Sequence, residues 1–176
     1  MVDQLAEHGV GGARVLEVGG GVGAIDIELL KAGALEATVV ELSEEYDGEA
    51  DRLLAENHLH GRIDRRHGDF VELSESVDPA DVVVMHRVVC CYPDPEVLVG
   101  AAAEHARRLL ALSFPREDWW VRAGWYVVDV WFRLVYRFES YVHSHRTILG
   151  AARRAGFTPV HEQSGPLWHV AVLERR

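Results

Sequence analysis

The nine residues Leu16–Ala24, LEVGGGVGA, restrict the fold more than any other stretch of the chain. They continue an apolar, β-favouring start (Ala13-Arg14-Val15) and then place glycine at 19, 20, 21 and 23. An ordinary strand-to-helix turn needs one glycine. Four in five positions let the backbone turn sharply and approach a ligand in front of a helix N-terminus. The next segment fits that helix: Ile25, Leu29 and Leu30 keep helical spacing within 23–34, and Gly33 stops it.

The rest of the chain alternates in the same way. Residues 36–42, EATVVEL, form a short strand ending in acid, and Ser43 caps a helix that Gly48 weakens. Residues 62–70 predict a weak, edge-like strand, and 80–86, ADVVVMH, a strong buried one. Residues 95–109 predict a helix with proline in its first turn, and 109–114 the next strand. A long amphipathic stretch follows, then a short helix over 145–157. Two strands about a Ser-Gly-Pro turn close the chain. Strands alternating with helices imply a Rossmann-like, doubly wound α/β fold with a mostly parallel sheet and helices on both faces. The tight terminal turn makes the last strand antiparallel to its neighbour. No repeat, linker or low-complexity segment divides the chain, so residues 1–176 are expected to form a single domain.

Charge and cysteine content exclude some chemistries. A formal charge of −10 repels a phosphate backbone, which argues against nucleic acid as a partner. No apolar run is long enough to span a bilayer, so integral membrane association is not expected. Cys90 and Cys91 are the chain's only cysteines. Adjacent Cα atoms lie about 3.8 Å apart, below the usual disulfide range of about 4.4–6.8 Å. No second cysteine cluster offers a zinc site, so no metal is expected. The pair reads as small apolar filler within MHRVVCCYPDP (85–95), and a reducing cytoplasm is the default location.

Glu41 ends the second strand, 22 residues after Gly19. A carboxylate there accepts hydrogen bonds from the two hydroxyls of a ribose, so a nucleoside-containing cofactor is expected at the carboxyl edge of the sheet. The dinucleotide pattern G-x-G-x-x-G is not met from Gly21, because Asp26 stands where its third glycine would be. Glu17, two residues before the glycines, suits a cationic ammonium better than a pyrophosphate.

With these residues in view, VLEVGGGVG resembles the first motif of the class I S-adenosylmethionine-dependent methyltransferases, acid-x-G-x-G-x-G. The resemblance runs along nearly the whole chain and implies the fold, the cofactor S-adenosyl-L-methionine and its site. That site comprises Glu17, Gly19, Gly21 and Gly23 in the loop, and Glu41 with Leu42 at the ribose. Asp69 is at the adenine amino group, Phe70 over the ring, and His86 at the end of the fourth strand. RVVCCYPD (87–94) and RRLLALSFPRE (107–117) are similar to the small-molecule branch that includes magnesium-protoporphyrin O-methyltransferases.

The resemblance makes His86 the first candidate base and Tyr92 the second candidate catalytic group; Arg87 would orient a carboxylate acceptor. The loop after the fourth strand lacks the Asn/Asp-Pro-Pro-aromatic pattern of many amino-group methyltransferases, which favours an oxygen acceptor. Residues 114–141 hold 10 of the aromatic side chains, and a helical insertion is expected at about 115–143. Trp120, Gly124, Val127, Trp131, Leu134 and Phe138 form its apolar stripe. Arg122, Tyr126, Asp129, Arg133 and Arg137 lie on the other face. The segment is a core-facing helix, a lid over a small, largely apolar substrate with Arg133 or Arg137 holding a carboxylate, or a membrane-surface helix, which Asp129 and the acidic whole argue against. Few residues precede the first strand, which fits a minimal enzyme or a shortened chain. Two other classes remain open: a nicotinamide-dependent oxidoreductase and a catalytically silent cofactor-binding module.

Overall fold

The computed structural model describes residues 1–126 and 140–176. In chain order the elements are α1 (Val2–Glu7), β1 (Arg14–Val18), α2 (Ala24–Lys31), β2 (Glu36–Glu41), α3 (Asp47–Glu56), β3 (Ile63–His67), α4 (Phe70–Leu73) and β4 (Ala80–His86). Then come α5 (Pro95–His105), β5 (Ala106–Pro115), helical residues 119–126 (α6), α7 (His145–Arg154), β6 (Phe157–Ser164) and β7 (Trp168–Arg175). The seven strands form one sheet in the order β3-β2-β1-β4-β5-β7-β6. β1 to β5 are mutually parallel, and β7 runs antiparallel to both β5 and β6. Strand order reverses between β1 and β4, and such a switch point opens a crevice at the carboxyl ends of the strands.

Successive side chains of a strand point to opposite faces, so each central strand feeds two cores. Val82 and Val84 of β4 pack with Leu5 of α1, Ile27, Leu29 and Leu30 of α2, and Leu54 of α3. Val83 and Met85 pack on the other face with Leu98, Val99, Ala102 and Ala103 of α5 and with Ile148 and Ala152 of α7. All four β4 residues are fully buried, each such burial stabilising the fold by about 1.5–3 kcal/mol. Side chains also set the helix starts: Asp94 accepts from the amides of Glu96 and Val97 ahead of Pro95, and Ser144 accepts from Arg146. No helix among the described residues is long and apolar enough to cross a membrane.

Three expectations change. The helix predicted to reach Leu109 ends at His105, and β5 begins at Ala106 rather than Leu109. Ala102, Ala103 and Ala106 are all fully buried, and small apolar residues packed on every side carry no period that separates helix from strand. Of the apolar stripe, open to a core-facing or a lid reading, Trp120 and Gly124 are exposed and so do not pack in the core. Val121 is the buried residue of α6, and Trp125, one turn on, packs edge-on against Trp168 at 5.7 Å. Val127, Asp129, Trp131, Arg133, Leu134, Arg137 and Phe138 lie outside the described residues. Finally, the two cysteines are not alike: Cys90 is buried, whereas Cys91 is exposed.

Candidate active site

The glycine loop has left-handed backbone at Gly19, Gly21 and Gly23, with φ of 70°, 53° and 77°. Gly19 also lacks room for a side chain, because a Cβ there would stand 2.5 Å from Cγ2 of Val88. At Gly21 the same atom would meet nothing within 4 Å, so this stretch of backbone borders open space. Glu41 holds the loop from β2: its carboxylate accepts from the amide of Gly21 at 2.8 Å and from that of Ser43 at 3.1 Å. Arg65, from β3, donates to the carbonyl of Gly21 at 2.9 Å and to Asp47 at 3.2 Å. Neither role of Arg65 was legible in the sequence, where its strand has no clear pattern.

The open space is a cavity of about 470 Å³ over the carboxyl ends of β1, β2 and β4. Of the residues predicted from sequence, Gly19, Gly21, Glu41, Leu42, Asp69, Phe70 and Tyr92 line it. Arg87 and Cys91 line it too. Asp69 caps α4 by accepting from the amide of Val71 at 2.8 Å, which fixes its carboxylate at the wall. Gly23 is the N-cap of α2 and sits behind the loop. Burial, then the nearby Asp69, raises the Tyr92 phenol above its ordinary pKa and keeps it a hydrogen-bond donor at neutral pH.

Glu17 lies beneath the loop rather than on the cavity wall. It is 1% exposed, and a Cβ on Gly20 would come within 3.1 Å of its Oε2. It faces Asp26 of α2, which is fully buried. Neither Asp26 oxygen, nor Oε2 of Glu17, has a conventional donor among the described residues. Two carboxylates accept but do not donate, so they settle face to face only with a proton between them. Burial first, and then Asp26, raises the pKa of Glu17 well above the carboxylate range. Burial pushes Asp26 up to about 6, against the opposing pulls of Glu17 and Arg65.

His86 ends β4 outside the cavity lining. The β4–β5 register sets it opposite Ser113, and its Nδ1 lies 2.9 Å from Oγ of that fully buried serine. Burial, then the charge of Arg87, lowers its pKa. Sγ of Cys90 and Sγ of Cys91 are 3.9 Å apart, and both approach the carbonyl of Arg87. The contact between the two sulfurs lowers the pKa of Cys91 and raises that of Cys90. Among the described residues no three of His, Cys, Asp and Glu converge on a point where a metal would sit.

The doubly wound sheet, the reversed β7 between β5 and β6, and a glycine-rich crevice bordered by acids define the class I methyltransferase architecture. A model of the family described as "Methyltransferase domain" matches residues 2–162, and the chain belongs to that family. It is an S-adenosylmethionine-dependent methyltransferase.

No curated protein matches the sequence significantly. Among solved structures, magnesium protoporphyrin IX methyltransferase from Synechocystis PCC 6803 with bound SAH superposes with a TM-score of 0.78 at 24% identity, covering 99% of this chain and 82% of that one. An O-methyltransferase family protein from Burkholderia thailandensis gives 0.78 at 20% identity, with 99% and 55% covered. An S-adenosylmethionine-dependent methyltransferase from Mesorhizobium loti gives 0.74 at 17%, with 99% and 100% covered.

The site fits its cofactor on the structure's own terms. The cavity offers an acceptor-only carboxylate at Glu41, another at Asp69, and bare backbone at Gly21, matching a ligand rich in hydroxyl and amino donors.

Proposed function

We propose that the chain transfers the methyl group of S-adenosylmethionine to an oxygen of a small, largely apolar molecule. The cavity lined together by Gly19, Gly21, Glu41, Asp69 and Phe70 carries this reading. Each oxygen of Glu41 already accepts one backbone hydrogen bond and keeps a second lone pair for a ribose hydroxyl. Asp69 serves the adenine amino group, with Phe70 and the exposed Leu42 as apolar walls. Glu17 and Gly23 act by shaping the loop from behind.

When bound, the cofactor supplies an activated methyl on a sulfonium, so the protein's part is to orient the acceptor and exclude water. Tyr92 supplies a hydrogen bond at the cavity wall, and His86 frames the acceptor side. The whole of 1–176 serves as one catalytic domain, cytoplasmic and acting on a small molecule rather than on nucleic acid, in keeping with the charge of −10.

Calorimetry with S-adenosylhomocysteine and, separately, with NAD tests the cofactor half. Binding of the former alone is expected, and binding of NAD alone overturns it. Labelled cofactor offered with phenols, aromatic acids and porphyrins, and with small amines as controls, tests the oxygen half. Label appearing on the amines alone overturns that.

A further inference from the structure

Arg87 lies between the cofactor cavity and a second groove. It lines the cofactor cavity, and its guanidinium lies 4.8 Å from the ring centroid of Trp168. Trp168 is in turn a wall of a second, mostly apolar groove of about 350 Å³, formed with Gln163, Pro166, Leu167 and Val170 at the β6–β7 turn. Trp125 packs edge-on against the same indole. The guanidinium is exposed, stacked on one face, and paired with no carboxylate among the described residues.

Its backbone is held unusually. Arg87 has φ of 60°, a left-handed conformation that strains a non-glycine residue and persists only where the surroundings enforce it. The enforcing group is Ser113, which takes the Arg87 amide on its carbonyl at 3.2 Å and on its hydroxyl at 3.0 Å. The same hydroxyl holds His86 Nδ1. Ser113 thus fixes the Arg87 backbone at the cavity wall, and the guanidinium reaches Trp168 from there.

We infer that the acceptor is a planar apolar acid whose carboxylate pairs with Arg87 while its ring system extends along Trp168 into the groove. The inference rests on the cofactor reading above and narrows its substrate class. A guanidinium matches a carboxylate with two parallel hydrogen bonds, and Pro166, Leu167 and Val170 of the groove supply apolar area beyond it. The proton balance points the same way. A phenol, with an ordinary pKa of about 10, needs a base at neutral pH. Here His86 has one ring nitrogen engaged by Ser113 and a basicity lowered by burial and by Arg87. A carboxylate needs no base. One of its oxygens attacks the methyl carbon of the sulfonium, and the carbon–sulfur bond breaks with its electron pair left on sulfur. The products are a neutral methyl ester and a neutral thioether, and no proton moves.

The test uses the full chain and the variants Arg87→Gly, in which glycine keeps φ near +60° without strain, and Arg87→Lys, which keeps the charge but not the fork. S-adenosylhomocysteine is titrated first. The acceptors are 2-naphthoic acid, 2-naphthol and 2-naphthylamine with methyl-labelled cofactor, and products are split by alkali, which releases the label of esters as methanol and leaves ethers and amines intact. Alkali-labile label from the acid is expected, in about tenfold excess over the other two. Arg87→Gly should lower kcat/KM for the acid by about 10–100-fold, chiefly through KM, as loss of a charge-assisted pair does. Arg87→Lys should recover part of it, and S-adenosylhomocysteine affinity should stay within about threefold in both. Alkali-stable label, absence of transfer to the acid, an unchanged kcat/KM in Arg87→Gly, or an equal loss of S-adenosylhomocysteine affinity overturns the inference alone. Absence of S-adenosylhomocysteine binding by the parent overturns the cofactor reading as well.

Discussion

Replacing Asp26 by asparagine should stabilise the protein, and more so as the pH rises. Asp26 is fully buried, and its pKa rises from the ordinary 3.8 to about 6. The folded chain therefore binds a proton that the unfolded chain has released. The penalty is absent below the unfolded pKa and complete above the folded one, so stability is lost as the pH rises through about 6. At about 1.4 kcal/mol per pH unit the penalty approaches a few kcal/mol above the folded pKa and is only partly present at pH 5. The variant's advantage should thus grow by roughly 1–2 kcal/mol between pH 5 and pH 8. The relief of Glu17, whose pKa is raised in part by Asp26, adds in the same direction. Urea unfolding of both proteins at pH 5, 6.5 and 8 measures it. Taking the change in the difference cancels any fixed cost of the asparagine in its pocket. A difference that stayed constant over this range would show that Asp26 does not titrate differently in the two states, and the proton-sharing pair would have to be abandoned.

Three further outcomes follow from the site. Glu41→Ala should weaken S-adenosylhomocysteine binding by about 1–3 kcal/mol in calorimetry, and should also loosen the loop, because the amides of Gly21 and Ser43 lose their acceptor. Gly19→Ala should destabilise the fold by about 1–3 kcal/mol, read from the urea midpoint, because the new methyl meets Val88; Gly21→Ala should cost only about 1 kcal/mol, since its backbone borders open space. A Cys90→Ala, Cys91→Ala double variant should still bind S-adenosylhomocysteine. In the parent, iodoacetamide should label the exposed Cys91 before the buried Cys90, and mass spectrometry distinguishes the two.

The parts legible in the sequence were those governed by local chemistry. β4 runs from Ala80 to His86 as its continuous apolar run implies, and the glycines precede α2 because few other residues take left-handed backbone. The α5–β5 boundary was hidden because alanine and leucine buried on all sides carry no period. The α6 face was misjudged because a stripe was drawn through Trp120, whereas the partner that decides the buried face is Trp168, far along the chain. The same distance hid the setting of Arg87. Its seat depends on Trp168 from β7 and on Ser113 from β5, and only the strand register brings His86 opposite Ser113. A carboxylate two residues before the glycines, Glu17, reads as facing a ligand; in the fold it faces Asp26 of α2 in the interior, a partner nine residues on that no local pattern announces.

The placement of β7 between β5 and β6 also sets the order in which the sheet is built. β6 precedes β7 in the chain, yet in the finished sheet it touches only β7. While the chain emerges, β1 to β5 have their parallel partners and α7 has the α5 face to pack on, but β6 has nowhere to dock. Its docking is deferred until residues 168–175 are present. The final hairpin then closes as one unit against β5, and the wall of the groove beside Arg87 comes into being at that moment. Every residue lining the cofactor cavity stands at or before Leu98, whereas the groove is lined only from Gln163 onward, so the crevice draws on the first part of the chain and the groove on its last hairpin.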